Sequence, residues 1–563
     1  MYESAPWLAH YGDIPAFLNY PDISMHQLIW RAGQISPSAC ACSFYGKTIS
    51  YKTLLGRIDL AARALTALGI GRGDRVSICM PNTPQAIECF YALNRIGAIA
   101  CMAHPLCAPE ELRKNLKGSK SKLVLTLDRH FDKVYEATQR LSFPCTVLTA
   151  TVRQALPLCK KLLFPFGKEG KQTPRLPVTG HIPWEALIQL GKGKPLPQDT
   201  GRGQDCAAIL YSGGTTGAPK GVMLSNLNFN ALAMQTAAVC GFKDFIGKKM
   251  LSLMPVFHGF GLGIGIHTPL SVGAACILMP QFDKGHFSHI LKKQKPNVIP
   301  GVPRLFSALL ELPGLNKADL SFLMGLFSGG DSLTPSLKAQ VDGFLKLHGC
   351  NEQLREGYGL TECVSATCLM PRFSTRKGSV GIPFPDTMYG IFRVGTQTPA
   401  EPGEAGEICI SGPTVMLGYL DDPEETAKAL QTHPDGRLWL HTGDLGHMDA
   451  DGFLYFHQRL KRMIVSNGYN IYPSQLEKAL ESHNAVLQAC VVGRLDERKG
   501  QVPVAYVVLK PGVDPDDGLR QVLFDHCARH IAAYAMPRQI EFLAALPKTK
   551  LGKIDYHTLE ERL

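Results

Sequence analysis

Gly213, Gly214 and Gly217 sit among the hydroxyls of Ser212, Thr215 and Thr216 and run on into Ala218-Pro219-Lys220-Gly221. Glycines this dense let a backbone turn tightly and aim its N–H groups inward, while the hydroxyls and the lysine add donors and positive charge. Such a loop suits phosphate oxygens. It is not the G-x-x-x-x-G-K-[ST] loop of P-loop NTPases. Counted from Gly214, Pro219 stands where that pattern needs its second glycine, and Gly221 where it needs the Mg²⁺-binding hydroxyl. A second cluster, Gly357-Tyr358-Gly359-Leu360-Thr361-Glu362, offers a carboxylate fit for a hard Mg²⁺ that also bridges phosphates, and two glycines that free the backbone beside a ligand. A third, His441-Thr442-Gly443-Asp444, offers an ionised carboxylate able to accept from two adjacent ribose hydroxyls, although a Thr-Gly-Asp turn on its own is bland.

The elements that must hold these groups alternate strand and helix. Ser50 is placed to cap a helix carrying Leu55, Ile58, Ala62 and Leu65 at helical spacing. Residues 75–80 and 122–127 read as strands and 86–96 as a helix, with further short apolar runs at 207–211, 274–278, 297–299 and 322–327. This rhythm predicts α/β layers with largely parallel sheets. A strand-rich stretch at 407–456 precedes a boundary near Lys461, and a small α+β domain follows, with a helix from Ser474, strands at 489–492 and 504–509, and a helix marked by Leu519, Val522, Leu523 and Cys527.

The bulk numbers fit a globular chain of more than one domain: 563 residues, 45% hydrophobic and 19% charged. The 17 cysteines include no C-x-x-C pair, so neither a zinc site nor a redox pair is indicated, and free thiols in a reducing cytosol are expected. The net charge of +11 favours an anionic small-molecule partner or a membrane surface, and no basic stripe with interleaved aromatics points to nucleic acid. The first ten residues lack the basic and apolar regions of a signal peptide. Residues 251–282 carry no Asp, Glu, Lys or Arg, yet Pro255, Pro269, Pro280 and the glycines between Gly259 and Gly273 argue for a buried strand–helix–strand and against a membrane span. Residues 152–176 interleave Arg153, Lys160, Lys161, Lys168, Lys171 and Arg175 with Leu162, Leu163, Phe164 and Phe166; this reads as a solvated surface loop, with peripheral membrane contact as the alternative.

Taken in order, the clusters resemble the signatures of the acyl-adenylate-forming superfamily, which includes acyl-CoA synthetases, peptide-synthetase adenylation domains and beetle luciferases. The loop is similar to Ser/Thr-Ser-Gly-Thr/Ser-Thr-Gly-x-Pro-Lys-Gly, with Gly213 replacing the commoner second serine. Ser328-Gly329-Gly330-Asp331-Ser332-Leu333 resembles the adenine-side turn, and Arg459 in Gln458-Arg459-Leu460-Lys461 an arginine near the ribose. Gly468 in Ser466-Asn467-Gly468-Tyr469 is similar to the glycine that leaves room for the pantetheine arm, and 547–554 resembles the C-terminal signature, whose lysine is Lys553. The chain departs from pattern at Gln458, where Gly or Asp is usual, at Arg462, where Asp is frequent, and at Leu551, where Ser or Thr is usual.

The resemblance spans nearly the whole chain and implies a large N-terminal domain, 1–460, of layered α/β subdomains plus a β-rich subdomain, and a small mobile α+β domain, 461–563, hinged at Lys461. It implies ATP binding by Ser212, Gly213, Gly214, Thr215, Thr216, Gly217, Lys220, Gly330, Tyr358, Gly359, Thr361, Asp444, Arg459 and Lys553. Thr216, Glu362 and Lys553 are the implied catalytic set, with Mg²⁺ on Glu362, an acid pocket at His258, Gly301 and Gly329, and a coenzyme A channel at Gly468. The implied reaction joins a carboxylic acid to coenzyme A through an acyl-adenylate in a cytoplasmic enzyme. Gly259, Gly261, Gly263 and Gly265 are small enough to leave space for a long apolar tail, and Gly301-Val302-Pro303-Arg304-Leu305-Phe306 looks like fatty acyl-CoA synthetases. A medium- or long-chain fatty acid is therefore the expected substrate; an aryl acid, or loading of a carrier protein, is the alternative.

Overall fold

The computed structural model describes residues 5–167, 170–171, 173–174, 176–211, 220–241, 245–315, 318–372, 374, 376–466, 469–496, 499–531, 535–549 and 554–563, with only the backbone at 461, 465, 469 and 470. Its contacts gather into two compact units. The first takes in Met1–Gly213, Pro219–Met388 and Ile410–Leu440; the second takes in Tyr389–Cys409 and His441–Leu563.

The first unit is built on two sheets. In one, the strands Arg75–Cys79, Ile99–Met102, Leu123–Leu127, Thr146–Ala150 and Cys206–Tyr211 form a parallel centre, and Gly221–Ser225 and Gly418–Tyr419 add antiparallel strands at one edge. In the other, Cys40–Phe44, Lys249–Ser252, Ala275–Leu278, Val298–Gly301, Gly325–Ser328 and Leu354–Gly359 run parallel between antiparallel edges. The expected strands thus appear, and strands buried on both faces explain their continuous apolar runs. Helix starts follow local chemistry. Ser50 accepts from Thr53 N at 3.2 Å to cap Tyr51–Ala67, and Thr83 accepts from Ala86 N at 3.3 Å to cap Pro84–Arg95. The latter helix is buried on all sides, so its Glu88 needs partners: Arg57 Nε at 2.6 Å and Trp184 Nε1 at 2.9 Å supply them.

The charge-free stretch folds as a strand, a π-helix over Phe260–His267, a short helix Thr268–Ser271 and a second strand. His267 is fully buried between Tyr91 and Asn230, and burial holds its pKa at about 3, so it is a neutral core histidine. Among the described residues no helix is long and apolar enough to cross a membrane. The segment expected as a surface loop contains the helices Val152–Ala155 and Leu158–Leu163, the first started by Thr151, whose hydroxyl accepts from Arg153 N. It leaves Leu158, Leu162, Leu163 and Phe166 exposed by 73, 62, 66 and 76%.

In the second unit, Val486–Asp496 and Gly500–Leu509 pair antiparallel, with Ile464–Ser466 and Tyr469–Ile471 beyond and Gln539–Phe542 alongside. Alternation along these strands gives two apolar faces. Val491 and Val507 pack with Leu476, Leu480, Leu523 and Ile540; Val492, Val504 and Tyr506 pack with Leu546 and Leu559. Two departures noted in the sequence find their reasons here. Gln458 Oε1 accepts from Ser474 N at 3.2 Å at the start of helix Pro473–Glu481, and Arg462 pairs with Glu477 of the same helix and donates to Val491 O at 3.2 Å.

None of the 17 cysteines is in a disulfide, and only Cys159 is exposed. Burial pushes the Cys145 and Cys206 thiols up to about 12.

Candidate active site

The parallel strands of the first unit bring Gly301, Ser328 and Glu356 into register, so that Gly301, Gly329 and Gly357 share the carboxyl-end edge where α/β sheets take ligands. Gly329 N donates to Gly301 O at 3.1 Å. A Cβ at Gly329 would stand in ordinary van der Waals contact with Gly357 O at 3.6 Å and the edge of Phe260 at 3.9 Å, without a clash. Gly330 holds φ +77°, a conformation that favours glycine. His258 lies half-buried beside Phe257, ring centroids 4.7 Å apart, with its N–H on Pro255 O at 3.0 Å.

Three of the four glycines that follow it tell against the pocket argument drawn from sequence. A Cβ at Gly259 falls 1.5 Å from Val364 O, at Gly261 2.0 Å from Pro255 O and at Gly263 2.7 Å from Leu232 Cδ2. These three glycines let the π-helix pass close to neighbouring chain and leave no space for a substrate tail at their own positions, whereas Gly265 meets nothing nearer than Phe260 O at 3.7 Å. Gly357 and Gly359 have the same reason: their Cβ atoms fall 2.8 Å from Cys368 O and 1.9 Å from Ser365 O, where strand Leu354–Gly359 folds back on Ala366–Leu369. Tyr358, Thr361 and Glu362 emerge half-buried from this hairpin. Cys363 and Cys368 are wholly buried core thiols.

Glu356, just ahead of the hairpin, accepts from Leu333 N at 3.0 Å and so ties down the turn carrying Gly329 and Gly330. Burial raises its pKa to about 7, against the smaller opposing pull of the Leu333 amide and Lys338. A folded pKa above the unfolded value contributes stability that is complete below the ordinary carboxylate range and is lost as pH rises through about 7. Glu356→Gln keeps the acceptor and removes the charge. Denaturant melts are expected to show wild type losing on the order of 2 kcal/mol relative to this variant between pH 5 and 8.

Ser212, Gly213, Gly214, Thr215, Thr216 and Gly217 lie outside the described residues, as do Gly468 and Lys553. Their flanks are described. Tyr211 pairs with Gly221, closing the two strands that lead into and out of the glycine-rich loop. Lys220 pairs with Glu425, which it and Lys428 hold down at about 2, and its ammonium stands 4.7 Å over the Tyr419 ring. The Tyr419 hydroxyl in turn donates to Glu362 Oε1 at 2.9 Å. The backbone reinforces this join: Met416 N donates to Glu362 O at 2.8 Å, Leu420 N to Gly221 O at 2.7 Å, and Tyr419 pairs with Val222. Lys548 and Ile554 form an antiparallel bridge on either side of Lys553, and Asp555 N donates to Pro547 O at 2.9 Å. Lys461 lies in a short 3₁₀ turn, Leu460–Arg462.

In the second unit Asp444 stands opposite Arg459 in an antiparallel pair, Oδ1 3.3 Å from Nε, with the carboxylate side chain only 4% exposed. A residue absent from the sequence reading braces the turn before it. Glu407 accepts from Gly443 N at 3.0 Å and from His441 Nδ1 at 2.9 Å, while Thr442 Oγ1 donates to Ile408 O at 2.6 Å and accepts from Asp444 N at 3.1 Å. Glu407, Cys409 and His441 bring ligand atoms within 4.8 Å of one another, but both carboxylate oxygens already hold the turn. Glu407→Ala leaves a part-buried ring N–H and a backbone N–H without their acceptor and, with Asp444 in the ribose role that the resemblance implies, is expected to raise KM for ATP about tenfold in steady-state assays.

The AMP-binding enzyme family model matches residues 29–420, and the model for the AMP-binding enzyme C-terminal domain matches 475–553. A long-chain-fatty-acid–CoA ligase of Bacillus subtilis (strain 168) is 35% identical, with 98% of this chain and 97% of that protein covered. 4-Coumarate–CoA ligase 2 of Oryza sativa subsp. japonica is 30% identical, covering 98% and 93%. The crystal structure of ATP-bound MatB from Rhodopseudomonas palustris superimposes with a TM-score of 0.80 at 23% identity, covering 96% of this chain and 99% of that one.

Proposed function

Since the chain belongs to the AMP-binding enzyme family, we propose that it is an acid–CoA ligase converting a carboxylic acid, ATP and coenzyme A into acyl-CoA, AMP and pyrophosphate. The observation that carries this reading is the join at Met416–Leu420, which ties the exit of the glycine-rich loop to Glu362. Phosphate donors and a hard oxygen ligand separated widely in sequence thereby serve one triphosphate.

In this reading Lys220 and the donors of 212–217 bind the triphosphate, Tyr358, Thr361 and the Gly330 turn seat the nucleotide, and Asp444 accepts from the ribose hydroxyls beside Arg459. Glu362 fits Mg²⁺: it is an oxygen donor, oriented by the hydroxyl of Tyr419, its hydrogen-bond partner among the described residues. When bound, the ion neutralises phosphate charge. The acid carboxylate attacks the α-phosphorus and pyrophosphate leaves, and the role assigned to Lys553 is to neutralise the charge that accumulates between two anions. The coenzyme A thiol then attacks the acyl carbonyl along a channel at Gly468 and AMP leaves. Lys553 gives way between the two steps through a pivot at Lys461, between 1–460 and 461–563.

A long-chain fatty acid is the preferred substrate, supported by the Bacillus relative and by the apolar edge of Phe260 facing the Gly329 turn. An aryl acid is the second reading, favoured by the 4-coumarate relative. The test is AMP release with palmitate, octanoate, 4-coumarate or benzoate, offering either coenzyme A or a holo carrier protein. No release with any acid overturns the reading, and turnover only with the carrier protein reassigns the acceptor.

A cytoplasmic location and peripheral bilayer contact belong to the same reading. Leu158, Leu162, Leu163 and Phe166 are exposed beside Lys160 and Lys161. Flotation with anionic vesicles is expected, and Leu162→Glu with Phe166→Glu is expected to reduce it at least fivefold; equal flotation of the two proteins refutes the contact.

A further inference from the structure

Lys220, the cation at the exit of the glycine-rich loop, is engaged by a carboxylate of its own chain. Glu425 lies in the first turn of Pro423–Ala429, where Asp422 caps the helix by accepting from Glu425 N at 3.1 Å. Lys220 and Glu425 are each 34% exposed, so solvent and a polyanion reach the pair. The ammonium also sits over the Tyr419 ring, whose hydroxyl holds Glu362. Both sides of this arrangement are fixed by backbone: Leu420 N on Gly221 O next to Lys220, and Tyr419 N on Thr426 Oγ1 at 2.9 Å next to Glu425.

We propose that Glu425 is a displaceable counter-ion that occupies Lys220 until the ATP triphosphate replaces it, with Tyr419 positioning Glu362 beside the exchange. The inference rests on the reading of Lys220 and Glu362 as triphosphate and Mg²⁺ groups. The physical argument is competition. A lysine paired with a carboxylate offers phosphate only the difference between two ion pairs, and a pair this exposed is weak enough to exchange. Removing the competing charge therefore favours the polyphosphate. Lys428, the other partner of Glu425, stays available to neutralise the carboxylate once Lys220 has left it. The phenol ring gives the ammonium a second favourable surface along its path.

The test is calorimetric binding of a non-hydrolysable ATP analogue, and of AMP, to wild type, Glu425→Gln, Tyr419→Phe and Lys220→Ala. Glu425→Gln is expected to bind the ATP analogue about threefold more tightly, with AMP affinity unchanged because AMP lacks the terminal phosphates. Tyr419→Phe is expected to raise the Mg²⁺ concentration needed for half-maximal analogue binding about threefold, with Glu425→Gln leaving it unchanged. Unchanged or weaker analogue binding by Glu425→Gln, while Lys220→Ala weakens it, overturns the exchange and makes Glu425 a fixed support. If Lys220→Ala leaves analogue binding intact, the reading of Lys220 itself is overturned and the inference goes with it. An unaltered Mg²⁺ requirement in Tyr419→Phe removes the positioning role.

Discussion

Lys553→Ala is expected to slow adenylate formation by about 10²–10³-fold while thioester formation from supplied acyl-AMP and coenzyme A stays near the wild-type rate. The asymmetry follows from charge. Attack on the α-phosphorus brings two anions together, whereas thiol attack on a mixed anhydride does not. The lysine follows Gly552 in a segment whose ends are tied by the Lys548–Ile554 bridge, and Ile554 packs on the apolar face formed by Val492, Val504 and Leu546. Removing the ammonium therefore leaves its anchorage in place, and the variant should melt as wild type does. Pyrophosphate–ATP isotope exchange measures the first step and acyl-CoA production from acyl-AMP the second. Equal losses in both would refute this division of labour.

Gly359→Ala is expected to abolish measurable isotope exchange and to cost about 3 kcal/mol or more of stability. The added methyl meets backbone: Ser365 O at 1.9 Å and Ala366 Cα at 2.6 Å. Neither is the far end of a flexible side chain, so the hairpin between Leu354–Gly359 and Ala366–Leu369 must open. Thr361 and Glu362 sit in its bend and move with it. Thermal melts and exchange rates check both parts. A variant that melts normally yet loses exchange would return the glycine to a role beside the nucleotide.

The contiguous signatures were legible because each packs its chemistry into a few neighbouring residues. The parallel strands were legible because burial on both faces leaves long apolar runs, as at Leu123–Leu127 and Ala275–Leu278. The groups that brace the site were not. Tyr419 lies in a two-residue strand and Glu425 in a seven-residue helix, both too short for periodicity to reveal. The usable trace was Gly418-Tyr419 placed just before an Asp422-Pro423 helix start, since a tyrosine locked between a strand pair and a cap has a fixed direction. Glu407 gave no trace of this role, because the partners of its carboxylate, His441 and Gly443, lie on another strand far along the chain. The glycines from Gly259 to Gly263 were misread for a related reason. Sequence displays the missing side chain but not the Val364 and Pro255 carbonyls that fill its place.

The distribution of thiols makes the molecule chemically addressable at a single point. Sixteen of its cysteines are shielded to some degree, and the one exposed sulfur, Cys159, lies in the helix bearing Leu158, Leu162 and Leu163. A maleimide dye added to the unmodified chain should therefore attach there without engineered substitutions. An environment-sensitive fluorophore at that atom then reads the polarity met by this helix, in buffer or against lipid.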